Sequence, residues 1–281
     1  MHGIHTAVVT PFTPDGALDL DAFTRLLEQQ LEGGVHGIVA CGTTGETPTL
    51  TDDEWQTVVR TAVEVVNGRV PVTAGIGTNS TATSVENARK ARELGADAGL
   101  LVFPYYNKPN PAGHRAHVRA VADAGLPLVL YHVPGRTGQR LSAALVAELA
   151  GFPGVIGVKE ATGDLLFGGD VLTATQTPIL SGDDFTFLPL LSMGGAGCIS
   201  VVSNTAPKTT VAVYDAFRAG DTAAARTHMH RLWPLVQFLF SDTNPVPCKA
   251  VLAAKGICGA HVRLPLAASD TAVPPELAAL G

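Results

Sequence analysis

The 281-residue chain is 46% hydrophobic and 16% charged, enough apolar residues for a large core and too many for a disordered protein. A formal net charge of -6 leaves no basic stripe to neutralise phosphates, so no nucleic-acid partner is expected. Cys41, Cys198, Cys248 and Cys258 lack CxxC spacing, which argues against a disulfide framework or zinc site and for a reducing, cytoplasmic setting; no leader and no run of about 18 apolar residues marks export or a membrane span.

Short β-branched runs alternate with longer amphipathic stretches from the start of the chain. IHTAVVTPF reads as a strand, LDAFTRLLEQQLEGG as a helix, HGIVACG as a strand and DDEWQTVVRTAVEVV as a helix. VPVTAGIG and TATSVENARKARELG repeat the pair, as do DAGLLVFP with PAGHRAHVRAVADAG and LPLVLYHVP with LSAALVAELAG. GVIGVKEA precedes a helix near 164–174, PILSGDD precedes FTFLPLLSMGG, and AGCISVV precedes APKTTVAVYDAFRAG. Strands that read as unbroken apolar runs belong to a parallel sheet covered on both faces, and eight right-handed βα units close into a barrel. A doubly wound sheet would carry a glycine-rich phosphate turn after its first strand, and VTPFTPDG has none. The expected fold is α/β: a (β/α)8 TIM barrel over residues 1–221, then a C-terminal helical region over 222–281, where the strands stop.

Chemistry in such barrels sits where strands end and βα loops begin. The ends here carry GTTGE (42–46), PYYNKP (104–109), YHVPGRTG (131–138) and Lys159. Alternation puts Val155, Gly157 and Lys159 on one face, with Gly157 expected to leave room for the lysine. An inward ammonium loses hydration, which favours the neutral amine that attacks a ketone to form a Schiff base. A lysine paired with Glu160 on the other face is the competing reading. Tyr131 shares a face with Val129 and Val133 and is either a proton carrier beside Lys159 or a core residue. Thr43 and Thr44 can relay a proton and bind a carboxylate, or form only a helix-entry turn. Arg136 offers a planar fork for a carboxylate, or lies on the surface. His114 and His117 share a helical face without a third ligand, so no metal is expected.

In this order and spacing, GTTGE, PYYNKP, YHVPGRTG, IGVKEATG, LSGDD and NPVPCKAVL with RLPL resemble the 4-hydroxy-tetrahydrodipicolinate (dihydrodipicolinate) synthase family, from TPFTPDG to RLPL. GTTGE and KEATG alone specify the wider family of pyruvate-dependent class I aldolases, which includes N-acetylneuraminate lyase. RTG and NPVP tilt the choice, and an aldolase acting on a sialic acid or a 2-keto-3-deoxy sugar acid is the alternative. The resemblance implies condensation of pyruvate with L-aspartate 4-semialdehyde, toward diaminopimelate and lysine, without metal or organic cofactor. It implies that Lys159 forms the Schiff base and Tyr131 donates and accepts protons. Thr43 would relay protons between Tyr131 and Tyr106, the latter reaching in from another subunit of a cytosolic homotetramer built as a dimer of dimers. Thr44 would hold the pyruvate carboxylate with the backbone of Ile199 nearby, and Arg136 the semialdehyde carboxylate.

Two departures from the family pattern stand out. His132 replaces the usual asparagine and by alternation faces away from Tyr131, so a change of packing alone is expected. Asp52, Trp55 and Thr83 occupy the positions matching a lysine-binding cleft, where Thr83 removes a carboxylate; feedback inhibition is expected to be weak or absent.

Overall fold

The computed structural model describes residues 1–269 and 271–280. Eight parallel strands follow one another in a closed barrel: β1 (Gly3–Ala7), β2 (Gly37–Ala40), β3 (Val72–Gly75), β4 (Ala98–Val102), β5 (Leu128–His132), β6 (Val155–Glu160), β7 (Ile179–Ser181) and β8 (Gly197–Ser200). The intervening helices are α1 (Leu20–Glu32), α2 (Asp52–Val66), α3 (Thr81–Glu93), α4 (Pro111–Ala122), α5 (Pro134–Thr137), α6 (Ala143–Ala150), α7 (Leu165–Ala174), α8 (Phe187–Ser192) and α9 (Pro207–Arg218). After them come α10 (Thr222–Leu239), α11 (Val246–Ala254) and α12 (Pro275–Ala278). This is the expected TIM barrel with C-terminal helices, and each strand-helix pair read from the sequence is present. No helix among the described residues is long and apolar enough to cross a membrane.

Two compact parts make up the chain. The first comprises residues 3–72 and 200–281. Its β1 and β2 run in parallel with His5 opposite Gly37, and a Cβ on Gly37 would fall 2.0 Å from the His5 ring, so only glycine fits there. Helix α2 starts at a capping box, in which the Thr51 hydroxyl accepts from the Glu54 amide while the Glu54 carboxylate accepts from the Thr51 amide. In the same part α10 packs against α9 and α11.

The second part comprises residues 1–2 and 73–199. In it β5 and β6 are in register so that Tyr131 lies opposite Lys159 and His132 opposite Glu160. The strand ends carrying the candidate residues are pinned by adjacent turns. Pro134 opens the single turn of α5, and Gly138 closes it in the left-handed region at φ 71°.

Candidate active site

In the part formed by residues 73–199, Lys159 is buried, with 4% of its surface exposed. Its Nζ lies 4.3 Å from the centroid of the Tyr131 ring, which is itself buried. The competing pairing with Glu160 is absent: that carboxylate accepts from the Thr162 amide at 2.7 Å and is buried on the other face, which raises its pKa. Among the described residues no carboxylate lies within ion-pair distance of the Lys159 amine. Room for the lysine comes from a different glycine than the sequence suggested. A Cβ at Gly157 would meet nothing closer than 3.6 Å, and Lys159 is not among its neighbours. A Cβ at Gly182 would fall 2.9 Å from Lys159 Cε and 2.6 Å from Ala161 Cβ. Gly182, just past β7, is therefore the residue whose missing side chain the lysine occupies.

Asp183 follows Gly182 in LSGDD. Its carboxyl is pushed up to about 6 by burial, against the pull of the Lys159 charge, with Asp184 adding to the rise and Arg136 opposing it. Arg136 is exposed on α5 and is felt by this carboxyl, so Lys159, Asp183 and Arg136 form one electrostatic group, with the Tyr131 ring against the Lys159 amine. Tyr106 is not packed into it. It is 87% exposed and sits at φ 70°, a strained backbone for a bulky residue, with its amide donating to the Thr137 carbonyl. Gln139 ties the same loop down, donating to the Pro109 carbonyl and bonding His114 at 3.0 Å. Ile199 is wholly buried within β8.

In the part formed by residues 3–72 and 200–281, GTTGE is a closed turn rather than a plain helix entry. The Gly45 and Glu46 amides donate back to the Gly42 and Thr43 carbonyls at 3.1 Å, and the Thr10 hydroxyl donates to the Gly45 carbonyl at 2.7 Å. Thr43 is half-buried and Thr44 buried, and Thr44 Oγ1 accepts from Asn244 Nδ2 at 2.9 Å. Glu46 sits in the left-handed region at φ 54°. Its carboxylate accepts from Lys249 Nζ at 2.5 Å and from the Arg263 amide at 3.0 Å. Lys249 is fully buried, donates also to the His261 carbonyl at 2.8 Å, and lies 4.1 Å from the Phe12 ring centroid. Arg263 grips both carboxylate oxygens of Glu54 at 2.6 and 2.7 Å, holding that carboxyl down at about 2. None of Asn244, Lys249 and Arg263 was singled out from the sequence. The only available signal was their place in NPVPCKAVL and RLPL.

His132 faces away from Tyr131, as alternation requires. Its Nε2 accepts from the Leu141 amide at 3.1 Å, and its ring packs 5.1 Å from Phe167 on α7 and 5.9 Å from Phe103. Burial pulls its pKa down to about 4, helped by the Arg140 and His114 charges; burial brings His117 to about 4 as well. Between about 4 and the ordinary value of 6.5 the unfolded chain binds more protons at these rings than the folded one, so their contribution to stability is lost as the pH falls through that window. A His132→Asn variant should keep kcat within about threefold, because the ring touches none of the reacting groups. Its thermal midpoint should fall less than that of the parent between pH 6.5 and 4.5, measured by circular dichroism melts at both.

Comparisons with known proteins identify the family and match the fold. The model of the dihydrodipicolinate synthetase family matches residues 1–280. A 4-hydroxy-tetrahydrodipicolinate synthase of Methanoculleus marisnigri is 47% identical over 98% of this chain and 96% of its own. Among solved structures, the dihydrodipicolinate synthase of Acinetobacter baumannii complexed with pyruvate superposes with a TM-score of 0.93 at 41% identity, covering 95% of this chain and 93% of that one. A monomeric dihydrodipicolinate synthase variant superposes with a TM-score of 0.94 at 39% identity, covering 96% and 92%.

Proposed function

This chain belongs to the dihydrodipicolinate synthetase family and is an enzyme of that class, and from that premise we propose that Lys159 is the nucleophile that condenses pyruvate with L-aspartate 4-semialdehyde. The observation that carries the reading is the buried Lys159 amine, set over the Tyr131 ring in the space left by Gly182, with no carboxylate among the described residues to hold it as an ion pair.

Once it has given up a proton, the Lys159 nitrogen adds to the C2 carbonyl of pyruvate, and loss of water leaves an imine. Removal of a C3 proton then gives the enamine, whose carbon attacks the aldehyde of the semialdehyde. Each stage moves a proton, and Tyr131 is the phenol beside the nitrogen that carries it. Thr43 relays to Tyr106, Thr44 receives the pyruvate carboxylate with the Ile199 backbone, and Arg136 receives the semialdehyde carboxylate. No metal or organic cofactor enters these steps.

The reading includes a cytoplasmic homotetramer assembled as a dimer of dimers, with residues 1–221 as the barrel and 222–281 as its helical region. An 87% exposed tyrosine on a strained backbone suits a residue that fills a neighbour's site. Exposed Leu165 and Leu166 begin α7, and the position of a Cβ on Gly169 in that helix lies 2.8 Å from the methyl of exposed Met193. That apolar surface suits a second contact between copies.

Incubation with pyruvate and reduction with borohydride should place the adduct on Lys159, read by peptide mass. An adduct elsewhere, or none, defeats the proposal. Thr83, exposed at the first turn of α3, has its hydroxyl bonded to Ser80 Oγ at 2.9 Å and offers no charge to an ammonium. Inhibition by submillimolar L-lysine should therefore be weak or absent in initial-rate assays.

A further inference from the structure

We infer that Asn244 is a positioning residue that orients the Thr44 hydroxyl toward the pyruvate carboxylate. This rests on the reading of Thr44 as the ligand of that carboxylate. A threonine hydroxyl has one hydrogen to give and two lone pairs to receive with. Asn244 Nδ2 donates to Oγ1 at 2.9 Å and so uses a lone pair, leaving the hydrogen to point elsewhere. Among the described residues that hydrogen has no acceptor, although Thr44 is 2% exposed. The Thr43 and Thr44 amides are in the same position, because the turn's internal bonds engage those of Gly45 and Glu46. Three donors without acceptors among the described residues, on two adjacent residues of which one is buried, are free for an acceptor from outside the protein, water or ligand. A carboxylate, which only accepts, suits them, and a neutral group offering its own hydrogen would suit them less well.

The donor is itself held in place. Asn244 lies just before α11, and Lys249 of that helix binds Glu46, two residues beyond Thr44. One stretch of chain thus grips the turn at its hydroxyl and at its carboxylate.

Three variants test the inference through the KM for pyruvate. Thr44→Val removes the hydroxyl and should raise KM about tenfold; no change there would refute the role of Thr44 itself, and this inference with it. Asn244→Asp presents an acceptor to Oγ1, turns the hydroxyl hydrogen toward itself, and should raise KM about tenfold with a much smaller change in kcat. Asn244→Ala lets the hydroxyl rotate and should raise KM about threefold, clearly less than Asn244→Asp. In the Thr44→Val background, Asn244→Asp should add less than about twofold. If Thr44→Val raises KM and Asn244→Asp does not, Thr44 keeps its role and Asn244 has none. Equal effects of Asn244→Ala and Asn244→Asp, or an undiminished effect in the valine background, would show packing or direct charge repulsion and overturn the inference.

Discussion

Replacing Lys159 with arginine or methionine should lower kcat by about a thousandfold or more and abolish the pyruvate adduct trapped by borohydride. Arginine keeps the positive charge but stays protonated and has no lone pair to add to a carbonyl. Methionine keeps the bulk that fills the space over Gly182, so the fold should survive in at least one of the two. Loss of activity with an unchanged circular dichroism spectrum separates chemistry from unfolding. A Lys159→Met enzyme that kept even a tenth of the parent kcat would place the nucleophile elsewhere. Burial pushes the Asp183 carboxyl up to about 6 beside Lys159 and Arg136, so the pH profile of kcat in the parent should show a limb near that value that Asp183→Asn removes.

Lys249→Met should destabilise the protein by about 3–5 kcal/mol, read from urea denaturation, because the Glu46 carboxylate is left buried without its cation. The remaining donor, the Arg263 amide at 3.0 Å, is neutral. Removing both charges in Lys249→Met/Glu46→Gln should recover much of the loss, since the penalty lies in the unpaired ion more than in the missing attraction. A single variant as stable as the parent would mean that water reaches Glu46 once the lysine is gone. Because Glu46 ends the turn that holds Thr43 and Thr44, the same variant should also weaken pyruvate binding.

The barrel was legible because each strand is a short apolar run closed by a turn and each helix has its own period and cap, as in TVVRTAVEVV behind Thr51 and Glu54. Lys159 and Tyr131 were legible for a related reason: alternation along β5 and β6 fixes which side chains share a face, and the register then sets them opposite each other. Alternation looks only along a strand. It therefore credited Gly157 with the space that Gly182, on the neighbouring strand's end, provides. It was also silent on Asp183, whose character comes from burial and from charges on other elements. The Asn244–Thr44 and Lys249–Glu46 contacts join positions 200 and 203 residues apart, a separation at which no local pattern carries a signal.

Those separations also bear on synthesis. While the nascent chain emerges, the turn at 42–46 is complete early, yet its glutamate has neither cation nor capping amide until residues 249 and 263 have been added, the latter 217 positions later. Catalytic competence thus waits on residues more than 200 positions downstream of the turn, however early the first strands pair.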